Sequence, residues 1–290
     1  MTDATVTAPN PTRPFYWSVR RELWEHRSIY MGPAIAAGLV LFGFILSLSP
    51  GSHVEFNGPR QSGIALSALP YLIVAAVVLG TALLVAFVYC LGALNNERKD
   101  RSILFWKSLP VSDATTVLSK VAIPMLVIPA VVLAVILAAQ IVLMILIAAT
   151  GNAPGQAGAD AVGQVMSGAL IYGPLVLSLW YAPVYGWLLL VSSWAKRGTF
   201  LWAVLPPLGV CVLEGIVLHT NHFADLLGLR LNGGFGAVFA LSQPRSVAHF
   251  GLEQVTREQF FTSPDLWLGL IAAAAFMAGA VWMRRRAEPV

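Results

Sequence analysis

Long uncharged stretches of hydrophobic residues alternate along the chain with short polar ones. Six of these stretches are long enough to cross a membrane as helices, because about 20 apolar residues span the hydrocarbon core. They are residues 30–48, 68–94, 121–149, 165–194, 199–218 and 266–283. The second, third and fourth exceed the minimum, so we expect them to tilt, kink or project beyond the lipid. The pattern predicts an all-α integral membrane protein with six transmembrane helices.

Prolines fall inside several of these spans and predict where the helices bend. A proline removes one backbone donor from a helix and crowds the preceding turn. Membrane helices tolerate this where neighbouring groups satisfy the freed carbonyls. The expected kink sites are Pro124, Pro129, Pro174, Pro183, Pro206 and Pro207.

The segment before the first span has the pattern of a surface helix. Residues 1–14 are predicted to be a short disordered lead, and residues 15–29 an interfacial elbow helix. Within it, Tyr16, Val19 and Leu23 recur at helical spacing, with Trp17 and Trp24 beside them. Such a helix lies in the headgroup layer, in contact with membrane lipids. An ordinary charged segment at the membrane surface is the alternative.

The composition excludes a large soluble domain. Only 11% of the 290 residues are charged and 57% are hydrophobic, whereas soluble domains carry about 25% charged residues. The net charge of +4 is not gathered into a basic stripe, so no nucleic-acid partner is indicated. Cys90 and Cys211 both lie in apolar runs, and no disulfide framework is indicated.

The basic residues predict the orientation of the helices, because cytoplasmic loops are enriched in Lys and Arg. With the N-terminus in the cytoplasm, every cytoplasmic segment is basic. Of the 18 Lys and Arg residues, those left outside are Arg60, Arg230, Arg245 and Arg257. The charge distribution and the count of six spans therefore agree on a topology with both termini inside.

Two further segments follow from this topology. Residues 219–264 form a long external loop of mixed polarity, which favours short interfacial or re-entrant helices, with an ordered loop as the alternative. Residues 284–290 form a basic cytoplasmic tail.

A dense group of charges and aromatics separates the second and third spans. Residues 95–119 contain NNERKDRSILFWKSLPVSD, in which Pro110 ends one element and Ser112 and Asp113 begin a helix. The stretch is typical of a short amphipathic helix followed by a sharp turn. An apolar face exposed in the cytoplasm favours a docked partner. Anchoring of Phe105 and Trp106 at the membrane surface is the alternative.

The sequence ERKDRSILFWKSLPVSDATTVLSK, residues 97–120, resembles the segment after the second span in permeases of the ABC transporter type-2 family. That family combines an acidic and basic cluster, an apolar helix, an SLP turn and a Lys that opens the third span. The interfacial helix, the six spans, the long last external loop and the basic tail agree with it. The resemblance implies a coupling helix that docks on an ATP-hydrolysing subunit. The coupling residues it implies are Glu97, Arg98, Asp100, Arg101, Phe105, Trp106, Lys107, Leu109 and Pro110.

The resemblance also implies the partners of the chain. No phosphate-binding loop of the form G-x-x-x-x-G-K-[ST] occurs. ATP and Mg²⁺ are therefore expected on a separate ATP-binding cassette subunit, and this chain is expected to be no enzyme and to need no cofactor. A second permease copy is expected, as a homodimer, with a paralogue as the alternative. The implied setting is a bacterial inner membrane and the implied direction is export, while no motif indicates the substrate.

Polar groups inside or near the spans are further candidates. Glu214 is the one carboxylate within a predicted span, which suggests a translocation or gating role. Gln140 and Asn95 are expected to bond between helices or to line a pathway. His219, His222 and Asp225 have a spacing that brings ligands to one helical face, but no second cluster completes a metal site, and none is predicted.

An intramembrane enzyme, or a lipid-modifying transferase that uses loop residues, is the alternative function. Membrane hydrolases need paired catalytic groups at membrane depth. No span here contains two acids, and the five histidines lie at or beyond span ends. Dependence on a second, ATP-hydrolysing subunit would separate the two functions.

Overall fold

The computed structural model describes residues 12–48, 63–99, 112–150, 156–240 and 261–286, and the regular structure in these ranges is entirely helical. The helices are α1 (Thr12–Glu25), α2 (Ser28–Ser47), α3 (Gly63–Ala93), α4 (Asn95–Lys99), α5 (Asp113–Ala122), α6 (Ile128–Ala149), α7 (Gln156–Leu175), α8 (Ala182–Trp194), α9 (Thr199–Leu213), α10 (His222–Ala240) and α11 (Pro264–Arg286). Within the same ranges, three π-helical segments continue them: Ile123–Val127, Val176–Trp180 and Glu214–Leu218.

Several of these helices are long and apolar enough to cross a membrane. Among the described residues, the five that qualify are Ser28–Ser47, Ala68–Glu97, Asp113–Ala149, Thr199–Leu218 and Pro264–Arg286. A bent pair, Val165–Trp180 and Ala182–Trp194, makes a sixth if it is counted as one span. The predicted all-helical class is confirmed for the described residues, and five or six helices have the length and apolar composition of membrane spans. Each predicted span falls on one of these stretches.

The third span differs from its prediction at its start. Its helix begins at Asp113, inside the predicted coupling segment, and not at Val121. Ser112 caps this helix as expected, since its hydroxyl accepts a hydrogen bond from the Thr115 backbone N–H at 3.1 Å. The hydrophobic run begins only after Lys120, but a helix needs no change of backbone geometry to continue past a charged residue.

The fourth span is broken in its middle. The Val176–Trp180 π-helical segment ends at Tyr181, and the two halves meet at 41°. Pro183 stands in the first turn of α8, where its missing N–H costs nothing. The bend therefore lies at one of the expected proline sites. The Ile123–Val127 π-helical segment likewise contains Pro124.

Helix α10, from the predicted external loop, packs against this break. The Trp180 indole N–H donates to the Arg230 carbonyl at 3.1 Å, and the Tyr181 hydroxyl donates to the Leu231 carbonyl at 2.9 Å. The Arg230 guanidinium in turn donates to the Trp180 carbonyl at 3.3 Å and stacks on the Trp180 ring. A single helix of 19 residues stands here where short interfacial or re-entrant helices were expected.

Helix α3 occupies the centre of the bundle and packs against α2, α6, α7 and α8. Its fully buried side chains recur at helical spacing and include Val74, Val78, Ala82 and Ala86. Helix α9, by contrast, leaves most of its apolar side chains exposed, among them Phe200 and Leu205. Lipid tails are as apolar as these side chains, so a membrane helix needs no further protein cover there.

Helices α8 and α11 approach each other closely around Gly186. A Cβ atom at this position would lie 3.1 Å from the Ala273 carbonyl oxygen and 3.2 Å from the Phe276 Cβ. Both neighbouring atoms belong to the α11 backbone or adjoin it, so they cannot move without displacing that helix.

We predict that Gly186→Leu separates α8 from α11 and lowers the melting temperature of the detergent-purified protein. Overpacking of a close-packed interior costs about 1–3 kcal/mol. Gly43→Leu is the control, because no atom lies within 4 Å of a Cβ built at Gly43. Equal melting temperatures for the two variants would contradict the α8–α11 contact.

Candidate functional site, a buried ion cluster

Charged side chains from four separate helices meet at one end of the bundle. We call them the ion cluster: Arg21 and Glu22 of α1, Glu97 of α4, Asp113 and Lys120 of α5, and Arg284 of α11. The most distant ion-paired members, Glu97 and Arg284, are 187 residues apart in the chain. The cluster therefore ties the start, the middle and the end of the sequence together.

Glu22 is the first anionic centre of the cluster, and 2% of its surface is exposed. Its Oε1 accepts a hydrogen bond from the Lys120 ammonium at 2.8 Å, and its Oε2 accepts one from the Tyr89 hydroxyl at 2.9 Å. Arg21 lies 3.2 Å from Oε1, and the His26 Nε2 lies 3.8 Å from Oε2. Both carboxylate oxygens are thus satisfied by partners within the chain.

Glu97 is the second anionic centre, at the end of the second span. Its Oε2 accepts a hydrogen bond from the Arg284 guanidinium at 2.8 Å. Its Oε1 accepts one from Arg21 at 3.1 Å and also lies 3.1 Å from the Lys120 ammonium. Lys120 and Arg21 therefore each bridge Glu97 to Glu22.

Arg284 joins the two ends of the segment between the second and third spans. Besides its bond to Glu97, its Nε donates to the Asp113 carboxylate at 3.2 Å. Glu97 lies just before residues 100–111, and Asp113 lies just after them. One guanidinium from α11 thus binds two carboxylates of the predicted coupling segment, one on each side of residues 100–111.

The balance of charge explains how so many ions remain buried. Moving one ion out of water costs several kcal/mol unless attraction and hydrogen bonds offset that cost. The carboxylates of Glu22, Glu97 and Asp113 face the cations of Arg21, Lys120 and Arg284. Loss of Glu22, Glu97, Lys120 or Arg284, which are all buried, leaves an uncompensated charge where water has little access.

The electrostatics of Glu22 follow from these contacts. Burial raises the pKa of Glu22. The Lys120 ammonium, the Tyr89 hydroxyl and Arg21 together lower it by more, so the pKa lies below its ordinary value. Glu22 is therefore ionised at neutral pH, and its charge contributes to the stability of the fold.

The coupling residues implied by the resemblance fall only partly within the described ranges. Glu97 belongs to the ion cluster, so its carboxylate is held by residues of this chain. Arg98 lies in α4. The remaining ones lie outside the described residues: Asp100, Arg101, Phe105, Trp106, Lys107, Leu109 and Pro110.

Of the six members of the ion cluster, only Glu97 was predicted from the sequence as a site residue. The other five were missed: Arg21, Glu22, Asp113, Lys120 and Arg284. The sequence predicts Arg284 in a basic cytoplasmic tail, and Lys120 is the Lys that opens the third span in the resembling segment. The one available signal is that each stands within a turn or two of a span boundary. Nothing in the local sequence pairs Glu22 with a lysine 98 residues further on.

Glu214 has a structural role at the start of α10. It accepts hydrogen bonds from the backbone N–H groups of His222 and Phe223, at 2.9 and 2.8 Å, and from the Thr220 hydroxyl at 3.0 Å. A carboxylate at this position satisfies the free donors of the first helical turn. The gating role suggested for Glu214 stays a prediction. Among the described residues, no group of His, Cys, Asp and Glu is arranged to hold a metal ion.

The other intramembrane polar residues differ in their hydrogen bonding. Asn95 bonds between helices as predicted, since its side-chain amide donates to the Thr199 hydroxyl at 2.8 Å and its backbone N–H donates to Ser192 at 3.0 Å. Gln140 makes no such bond: its side chain is fully buried, and neither amide atom has a hydrogen-bond partner within the described part of the chain. The prediction of an interhelical hydrogen bond for Gln140 is therefore wrong within the described part of the chain. Its neighbours along α6 are apolar and offer it no polar group.

Comparison with known proteins places the chain in no family. No family pattern, curated protein or solved structure matches it. The sequence and the ion cluster are therefore the features that bear on function.

We predict that Lys120→Met destabilises the protein by about 3–5 kcal/mol, the usual cost of removing one partner from a buried ion pair. Thermal unfolding of the purified protein in detergent measures this. Lys196→Met is the matched control, since Lys196 is exposed. The double variant Glu22→Gln/Lys120→Met should lose less stability than the two single losses summed, because the orphaned charge is removed. Equal effects of Lys120→Met and Lys196→Met would contradict the cluster.

We also predict a specific pH dependence. A carboxylate with a lowered pKa stabilises the fold above its ordinary value of 4.5, and this contribution is lost as the pH falls through the folded-state pKa. The difference in melting temperature between the wild type and Glu22→Gln should therefore be largest near neutral pH and should shrink on acidification. Glu25→Gln is the control, because 59% of the Glu25 side chain is exposed. A wild-type advantage that is constant with pH would refute the role of the Glu22 charge.

Proposed function

We propose that this chain is the membrane-spanning permease subunit of an ATP-driven transporter of the ABC type-2 kind. Residues 97–120 carry the resemblance on which the proposal rests. The observation that supports it best is the pair of bonds from Arg284 to Glu97 and Asp113. A segment that receives force from a partner has to be attached firmly to the helices that move.

The proposed topology has six spans, with both ends of the chain in the cytoplasm. Glu22 precedes the first span and Arg284 ends the last, and both reach the same ion cluster. An odd number of crossings would separate them by the thickness of the membrane. This supports the counting of Val165–Trp180 and Ala182–Trp194 as one broken span.

The proposed mechanism is alternating access. ATP binding closes the partner dimer, and the segment between the second and third spans moves with it as a lever. The ion cluster links Glu97 and Asp113, on either side of this lever, to α1, α5 and α11. Displacement of the lever is therefore transmitted to these three helices together. The π-helical segments and the bend at Tyr181 are places where the helices can adjust, since such irregularities often mark hinges.

The remaining parts of the proposal follow the resemblance. Two copies of this chain assemble with two ATP-binding cassette subunits in a bacterial inner membrane, and the direction is export. ATP and Mg²⁺ reside on the partner subunits. The segment around Phe105 and Trp106 forms the contact with them.

We predict that Phe105→Ala/Trp106→Ala leaves the protein folded and inserted but reduces the amount of ATPase subunit that copurifies with it. Aromatic anchors at interfaces cost about 2 kcal/mol or more when truncated. The measurement is a pull-down of the tagged native protein in mild detergent, with the companions identified by mass spectrometry and the eluate assayed for ATP hydrolysis. Phe42→Ala/Trp267→Ala is the matched control, since both of these side chains are more than half exposed elsewhere on the chain.

A substitution in the ion cluster should separate two properties: binding of the ATPase subunit, and transmission of its movement to the helices. Arg284→Lys keeps the positive charge of the cluster but lacks the planar guanidinium that bonds Glu97 and Asp113 together. This variant should still retain the ATPase subunit, but should weaken the effect of the permease on ATP hydrolysis, because the segment between the second and third spans is less firmly linked to α11. If the native chain purifies alone under conditions that preserve a known transporter complex, the transporter proposal fails. An intramembrane enzyme or a lipid-modifying transferase would then be the better interpretation.

A further inference from the structure

The outward face of α1 carries an arginine between two exposed tryptophans. The Arg20 guanidinium carbon lies 5.1 Å from the ring centroid of Trp17 and 4.7 Å from that of Trp24. The indoles are 57% and 68% exposed. Residues 17, 20 and 24 recur at helical spacing, so the three side chains form one continuous surface along the helix.

The rest of α1 holds this surface outward. Val19 and Leu23, two positions of the predicted lipid-facing stripe, pack against the hydrophobic core of the bundle. Glu22 is fixed in the ion cluster by Lys120 and Tyr89. The helix cannot roll to bury its indoles without breaking these contacts. The lipid-facing side of α1 is therefore a different one from the stripe that the spacing of apolar residues suggested.

The position of α1 places this surface where a membrane ends. The first candidate span begins at Ser28, three residues after the last residue of α1, Glu25. The outer side of that span presents apolar side chains such as Ile35 and Leu39, which are more than half exposed. Tryptophan concentrates at the boundary between hydrocarbon and headgroups, where an apolar ring and a polar N–H are both accommodated.

The chemistry of the surface is selective for an anion. A guanidinium that stacks on aromatic rings keeps its N–H donors in the plane, where they can form paired bonds to phosphate oxygens. Within the described part of the chain, no carboxylate forms an ion pair with Arg20. The nearby Glu25 lies 3.4 Å from Arg21 and belongs to the opposite flank of the helix.

We propose that Trp17, Arg20 and Trp24 form a binding site for the phosphate of an anionic phospholipid. The indoles lie at the level of the glycerol and upper acyl chains, and Arg20 binds the headgroup phosphate. Such a site requires the membrane location of the chain but not transport, so it is independent of the proposed function.

The test is native mass spectrometry of the purified protein after addition of phosphatidylglycerol or phosphatidylcholine in detergent. The wild type should retain phosphatidylglycerol in preference to phosphatidylcholine. Arg20→Gln should lower the phosphatidylglycerol-bound fraction about fivefold, the ratio that corresponds to about 1 kcal/mol for one basic residue at an anionic surface. Size-exclusion chromatography checks that the variant is folded.

Arg286→Gln is the matched control. Arg286 is exposed at the same end of the bundle and stacks on one indole, that of Trp282, at 3.9 Å. The proposal predicts that this variant retains most of the bound phosphatidylglycerol. Equal losses in Arg20→Gln and Arg286→Gln would overturn the proposal in favour of diffuse charge attraction. Unchanged binding in Arg20→Gln, or equal retention of the two lipids by the wild type, would overturn it outright.

Discussion

Arg284 binds two carboxylates that lie on either side of residues 100–111, and the arrangement of one whole end of the bundle depends on this contact. A buried guanidinium that lost one of these partners would keep its desolvation cost with only one carboxylate left to offset it. The last helix is therefore held in register with the second and third spans. Through Glu97 and Lys120 the same constraint extends to Glu22 on α1.

The described helices are joined by ion pairs at this end of the bundle and are irregular at several places along the spans. Around the ion cluster, polar side chains are satisfied by partners from other helices. Along the spans the backbone departs from α-helical geometry at the bend next to Tyr181 and in three π-helical segments, of which Ile123–Val127 begins three residues after Lys120. A firmly connected end and a series of adjustable helices suit a molecule in which force enters at one place and helices repack elsewhere. The proposed transport mechanism requires both of these properties.

Much of the fold was predictable because membrane solvation acts locally. Lipid requires about 20 consecutive apolar residues for each crossing, so the stretches themselves reveal the helices, and Ser112 indicates the start of one of them. The boundary of the apolar stretch was a poorer guide, since the helix of the third span begins at Asp113 and the hydrophobic run begins only after Lys120. The spacing of Val19 and Leu23 also did not reveal that these side chains pack against the protein core.

By itself, the sequence determined that the chain is helical, that it is suited to a membrane and where the helices lie, because each of these properties depends on residues close together in the chain. Only the tertiary structure decided that Glu22, Glu97, Lys120 and Arg284 form one cluster. Those residues lie in separate helices, and their individual surroundings in the sequence are ordinary charged span ends. Electrostatic attraction in a site with little water depends on distances of about 3 to 4 Å, and only the packing of the helices brings these charges so close.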